Sequence, residues 1–258
     1  MEVGLNLFSI RNHIQTEENF LNVALKLKDA GYDYLQFSGS PLTADAIKRV
    51  VDQSGMPVYL THMPMDRIVN DTNKLMEEHD LFGCKNIGLG MMPIESILDE
   101  DKLKETVELL NNSAYVMQKN GFKFFYHHHH YEFIKHGKQT VFDYIINNAP
   151  NVNFTLDTYW LQYGGVQVCD FIKKLSGRID CVHLKDYMIT FKPDDENPIK
   201  AFPEFAPIGD GVLDFNKIIK QFKESGAKYY FIEQDNASVL SDGLDQVIKS
   251  VKYVKENF

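Results

Sequence analysis

Imidazole and carboxylate are the side chains through which this sequence can do chemistry. Nine of its 258 residues are histidine, and four of them, His127, His128, His129 and His130, are consecutive and mid-chain. Asp157, His183 and Glu233 each close a short apolar run, and Lys185 follows His183 by two residues. A carboxylate and imidazole mixture suits Mn, Mg, Zn, Co or Fe(II) and leaves positions for substrate oxygens. A lysine in such company holds a substrate oxyanion or acts as an acid. Gln36 and His62 close two further runs, where His62 either bonds a substrate hydroxyl or sits satisfied in the core. Trp160, the only tryptophan, stacks on a sugar ring or packs a loop. No short ligand spacing joins these residues, so only a fold can bring them together.

The elements that must do so are legible. Strand-like runs fall at 3–9, 34–37, 58–61, 86–90, 123–128, 152–157, 179–184 and 229–234. Most are continuously apolar, as parallel strands covered by helices are. Amphipathic stretches lie between them. Thr16 opens one that Gly31 closes, and further helices are expected over 43–54, 101–120, 215–225 and 242–257. Eight strands, each followed by a helix, predict an α/β fold of the (β/α)8 TIM-barrel type, in one domain spanning residues 1–258. Strand starts lie about 32 residues apart. The exception is the last interval, from 179 to 229, which contains a long Pro- and acid-rich loop over 187–211. A loop of that length is usually functional and is placed to fold over the mouth. An open doubly wound sheet is the alternative, but no GxGxxG follows the first strand.

Composition narrows the function classes. With 36 Asp and Glu against 27 Lys and Arg, the net charge is -9, which argues against nucleic acid as partner and against a polybasic membrane anchor. No apolar run approaches the roughly 20 residues of a membrane span. The N-terminus lacks a basic leader region, and Cys84, Cys169 and Cys181 form no CxxC; a reduced, cytoplasmic setting is expected.

Catalytic groups of a barrel come from the carboxyl ends of its strands. Those ends carry Gln36, His62, the 127–130 histidines, Asp157, His183 with Lys185, and Glu233. A purification tag would be terminal, whereas the histidine run follows an apolar strand. Strand alternation puts His127 and His129 on one face and His128 and His130 on the other. One or two functional histidines are expected here, with the rest hydrogen-bonded or exposed; a surface metal-binding tract is the other reading.

These residues resemble a known family along essentially the whole chain. GFKFFYHHHHYEF at 121–133 is similar to the Tyr-His-Asn-His-x-x-Glu-Phe segment of the xylose isomerase-like TIM-barrel superfamily, in its sugar phosphate isomerase/epimerase branch. LDTYW at 156–160 with Gly164 and Gly165, VHLKD at 182–186, PIGDG at 207–211 with Asp214 and Phe215, and FIEQ at 231–234 follow in the family's order. The resemblance implies one divalent metal ion held by Asp157, His183 and Glu233 with a strand-five ligand. Epimerase members carry a glutamate there; counting from the preceding glycine, the place falls on His127. Only Glu233 is then placed as an acid-base carboxylate, and His127, His129 or Glu132 must supply the opposing group. The histidine-rich fifth strand also resembles the inosose dehydratase group and members acting on 3-keto sugars.

The function expected is a metal-dependent isomerase or epimerase acting on a keto-sugar or related polyol, by α-proton abstraction through an enediolate. A dehydratase of the inosose type and a non-catalytic sugar-binding or regulatory barrel subunit are alternatives. An apurinic-site endonuclease shares the barrel, but the acidic charge disfavours it. In this reading Glu233, His129, Lys185 and Glu132 are the catalytic candidates; Gln36, His62, Trp160 and Lys185 contact substrate. No Arg- or Lys-rich anion cradle is evident, which leans against a phosphorylated substrate. Helical faces leave room for a homo-oligomer.

Overall fold

A computed structural model describes residues 1–194 and 196–258. Its centre is a closed parallel barrel of β1 (Gly4–Asn6), β2 (Tyr34–Phe37), β3 (Val58–His62), β4 (Asn86–Leu89), β5 (Lys123–His127), β6 (Asn153–Asp157), β7 (Cys181–Leu184) and β8 (Tyr229–Ile232). Each strand pairs with the one before and after it, and β8 closes on β1. Helices surround the barrel, as the sequence predicts.

The two-residue period of a strand turns this closure into a layered interior. Tyr34, Leu60, Phe125, Cys181 and Phe231 meet inside the barrel as one apolar cluster. Tyr34 and Phe231 pack edge to face with centroids 5.3 Å apart. Gly4 makes room for this layer, because a Cβ there would stand 2.4 Å from the Tyr34 ring. Two residues further along the same strands stand Gln36, His62, His127, His183 and Glu233. The apolar layer is thus the floor of the site. The intervening residues Leu35, Tyr126, Val182 and Ile232 point outwards and join the larger core under the helices.

Helix ends follow the sequence closely. Thr16 and Thr43 accept hydrogen bonds from Asn19 N and Ala46 N as caps. Asp99 caps the helix Glu100–Lys119 through Asp101 N and Lys102 N, which moves its start ahead of the expected 101. Two expectations change more. The run at 3–9 is a strand only to Asn6, whose side chain accepts from Phe8 N and starts the 3-10 turn Leu7–His13. The side-chain cap competes with further ladder pairing. The loop expected over 187–211 is largely an antiparallel hairpin, Asp186–Phe191 against Ala201–Ala206; Asp195 lies outside the described residues.

Asp186 anchors that hairpin to the barrel. It is fully buried and accepts from the backbone N–H groups of Gly209, Gly211 and Leu213, at 3.1, 3.1 and 3.3 Å, and from its neighbour Tyr187. A Cβ on Gly211 would lie 2.2 Å from Asp186 Oδ1, so the PIGDG motif is a fitted cradle for this carboxylate. The three cysteines are free thiols, and among the described residues no helix is long and apolar enough to cross a membrane. Replacing Asp186 by Ala removes the acceptor shared by three part-buried backbone N–H groups and is expected to lower the unfolding free energy by about 1–3 kcal/mol, read by urea denaturation.

Candidate metal centre

His127, Asp157, His183 and Glu233 converge at the carboxyl end of the barrel, each offering a donor atom within 4.8 Å of the others. All four are buried. Apart from the Lys185 ammonium beside the two carboxylates, His127 Nε2, Asp157 Oδ2, His183 Nδ1 and Glu233 Oε2 have no hydrogen-bond partner among the described residues. His127 Nε2 lies 3.5 Å and His183 Nδ1 3.8 Å from Asp157 Oδ2. His183 Nδ1 and Glu233 Oε2 are 2.8 Å apart, yet not aligned as donor and acceptor. Buried polar atoms without partners are costly and rare in native proteins. The Lys185 ammonium meets the two carboxylate oxygens, the two imidazole nitrogens stay without a hydrogen bond beside them, and two imidazoles with two carboxylates are a donor set for a divalent ion.

The second polar atom of each residue is held elsewhere. His127 Nδ1 faces Gly90 O at 2.9 Å, an acceptor, so this nitrogen carries the proton and Nε2 keeps its lone pair. Asp157 Oδ1 accepts from Trp160 N at 3.0 Å as the cap of the helix Thr158–Tyr163. Glu233 Oε1 accepts from Asn6 Nδ2 at 2.7 Å. His183 Nε2 lies 2.7 Å from Gln36 Oε1. Such outer partners orient metal-binding side chains.

Lys185 completes the charge pattern. Its buried ammonium stands 2.9 Å from Asp157 Oδ2, 3.0 Å from Glu233 Oε2 and 3.1 Å from both oxygens of Asp235. Burial opposes its charge, but the three carboxylates outweigh it and hold Lys185 protonated, above the usual lysine range. Burial likewise works against ionised Asp157 and Glu233, yet Lys185 and the imidazoles keep both well below the usual carboxylate range. Asp235 differs: burial, with Glu233 and Asp157 nearby, outweighs Lys185 and pushes its pKa up to about 6. Three carboxylates against one ammonium leave an excess of two negative charges, which one divalent ion balances.

His127 and Glu233 of the cluster, with Lys185, line a cavity of about 360 Å³ whose wall also includes Phe8, Ser38, His62 and Met91. His129 and Asp235 line it too. The histidine run divides by contact. His127 joins the cluster and His129 faces the cavity, its pKa driven down to about 2 by burial and then by His127 and Lys185. His128 turns outward onto Phe142, ring centroids 4.8 Å apart, and its Nε2 accepts from Asp157 N at 3.1 Å. His130 stacks on Trp160 at 5.2 Å and remains partly exposed.

Three expected positions stand elsewhere than expected. Glu132 is fully buried and absent from the cavity wall; Tyr126 Oη donates to one oxygen at 2.5 Å and His129 N to the other at 2.9 Å. With both oxygens committed, its carboxylate shapes the turn after β5 in place of the proton-transfer role expected for it. Gln36 is also fully buried, hydrogen-bonded to His62 and His183 and absent from the cavity wall. Trp160 lies beside the cavity, 5.2 Å from the Lys185 ammonium and against Phe205 of the hairpin. Asn6 and Asp235 were not singled out from the sequence. Asp235 follows Glu233 by two residues, and that spacing is the signal that points to it.

The family model of the xylose isomerase-like TIM barrel matches residues 24–257. The chain belongs to this family. Inosose dehydratase of Clostridium perfringens is 26% identical over 167 residues, a match covering 62% of this chain and 56% of that protein. The chain therefore spans a little over half the length of that curated relative. A sugar phosphate isomerase/epimerase from Parabacteroides distasonis superposes with a TM-score of 0.80 at 21% identity, covering 99% of this chain and 94% of the other. A xylose isomerase-like barrel protein from Mycobacterium smegmatis, solved in complex with magnesium, gives 0.73 at 14% identity, covering 99% and 95%. At these identities the superpositions carry the family's fold.

His128 gives this family member an acid-sensitive joint behind the cluster of His127, Asp157, His183 and Glu233. Burial, reinforced by His127, lowers its pKa to about 3. An unfolded imidazole titrates near ~6.5, so the unfolded chain takes up the proton first. The stability from neutral His128 is complete above ~pH 6.5 and is lost as pH falls towards 3. Urea unfolding of wild type is expected to lose about 3 kcal/mol more than His128→Gln between about pH 7 and pH 4.

Proposed function

We propose that the chain is a divalent-metal-dependent isomerase or epimerase that abstracts an α-proton from a keto-sugar or related polyol, through an enediolate. The observation that carries this reading is the convergence of four buried donor atoms, on His127, Asp157, His183 and Glu233, beside a sugar-sized cavity that His127 and Glu233 line. The names of the structural relatives, a sugar phosphate isomerase/epimerase among them, support the same substrate class. The ion would supply Lewis-acid stabilisation of negative charge on adjacent substrate oxygens.

The protein's own groups divide the remaining work. Lys185, held protonated, binds a substrate oxygen as charge develops on it. Glu233 keeps one oxygen on Asn6 and presents the other to the cluster and cavity. Asp235, also in the cavity wall, exchanges a proton near neutral pH and takes the place of the second carboxylate that His127 displaces from the fifth strand. His129 stays neutral and contributes a hydrogen bond. His62 bonds a substrate hydroxyl, while Trp160 and Phe205 at the base of the hairpin close the apolar side of the mouth and keep water from the reacting carbons.

Dehydration of an inosose-like substrate is the second reading. It is favoured by the 26% identity to inosose dehydratase and by a histidine where epimerases carry a second glutamate. The two reactions share proton removal and part afterwards, when the carbanionic carbon is reprotonated or a β-hydroxyl leaves as water.

Metal analysis paired with solvent-deuterium exchange from a panel of keto-sugars and inososes tests the reading. One divalent ion per chain is expected, and chelation should abolish exchange. Asp157→Ala and Glu233→Ala should each slow exchange by at least about 10²-fold. A protein that takes up no divalent ion, or variants that exchange at the wild-type rate, would overturn it. Product mass then separates isomerisation, at unchanged mass, from loss of water.

A further inference from the structure

Gln36 is fully buried between two histidines that face different tasks. Its Oε1 lies 2.7 Å from His183 Nε2, and its Nε2 lies 3.0 Å from His62 Nε2 and 3.4 Å from Ser38 Oγ. A carboxamide oxygen only accepts and its nitrogen only donates. His183 therefore carries a proton on Nε2, so that the neutral ring has its lone pair on Nδ1, the atom aimed at Asp157 and Glu233. His62 must present a lone pair at Nε2, so its single proton sits on Nδ1. Reversing the amide would place a proton on His183 Nδ1, inside the cluster of partnerless donor atoms, and would turn the carboxamide nitrogen away from Ser38.

We infer that Gln36 is a positioning residue that sets the ring tautomers of His183 and His62 together, through one carboxamide. His183 is thereby committed to offering Nδ1 to a cation. His62, which lines the cavity, is committed to donating from Nδ1. The inference rests on the proposed function for the use made of each ring; the tautomers themselves do not. One side chain thus couples the metal cluster to the hydrogen-bonding pattern of the substrate cavity, with no proton left undefined between them. His62 and His183 ring centroids are 5.7 Å apart, so no direct ring contact does the same work.

A carboxylate at position 36 separates this from a packing role, because it fills the same volume but accepts from both rings. Histidine ring ¹⁵N-labelled protein, loaded with Zn²⁺, is read by long-range ¹H–¹⁵N correlation in wild type and Gln36→Glu. Wild-type His62 is expected as the Nδ1–H tautomer and the Gln36→Glu protein as Nε2–H. Calorimetric titration of the metal-free proteins with Zn²⁺ gives the second readout. Gln36→Leu should lose about 10–100-fold in affinity, while Gln36→Glu, which still accepts from His183, stays within about threefold of wild type. Circular dichroism and melting temperature establish that each variant is folded, and Gln36→Glu alone decides the tautomer if Gln36→Leu does not fold. An unchanged His62 tautomer in Gln36→Glu, or wild-type affinity in Gln36→Leu, overturns the inference. If wild type takes up no Zn²⁺, the proposed function falls, while the His62 spectra of the metal-free proteins still decide the tautomer.

Discussion

Everything at the mouth of this barrel depends on the desolvation of like charges. Asp157, Glu233 and Asp235 are brought within reach of a single ammonium, in a place where water cannot share the load. Buried carboxylates in such proximity are tolerated only when cations or hydrogen bonds meet them. Lys185 meets part of the demand. The rest is left as negative charge in excess of that one ammonium, beside two imidazole nitrogens that make no hydrogen bond, and the surrounding chain is built to keep them that way.

That upkeep is distributed over the whole barrel. Asn6 from β1, Gln36 from β2, Gly90 after β4 and Trp160 after β6 each occupy the second atom of one ligand. None of these bonds is strong by itself, since a neutral hydrogen bond contributes about 1 kcal/mol net. Their effect is directional: each removes an alternative that would let a ligand turn away and satisfy itself locally. The aromatic floor of Tyr34, Phe125 and Phe231 makes the arrangement rigid, because side chains two residues on cannot sink below it.

The fold was legible because its signals are local. Continuous apolar runs, Thr caps and closing glycines reflect backbone preferences that a few neighbouring residues decide. Misplacements occurred where a side chain competed with the pattern. Asn6 ended β1 early by capping the next turn, and the Pro- and acid-rich stretch over 192–200 hid a hairpin between Asp186–Phe191 and Ala201–Ala206. The site was legible in part for the same reason: strand ends are polar exceptions in apolar runs, and Asp157, His183 and Glu233 stand out as such.

Sequence by itself determined the barrel, the family and which residue types crowd one rim, because strand periodicity and helix capping act over a few residues. Strand alternation separated His127 from His128, and the resemblance pointed to His127; tertiary structure decided what each face meets, Asp157 for His127 and the Phe142 ring for His128. Tertiary structure also removed Glu132 and Gln36 from the cavity and brought Asp235 into it. Hydrogen-bond partners more than 100 residues away, such as Gln36 and His183, are set by barrel closure, and no local pattern carries that information.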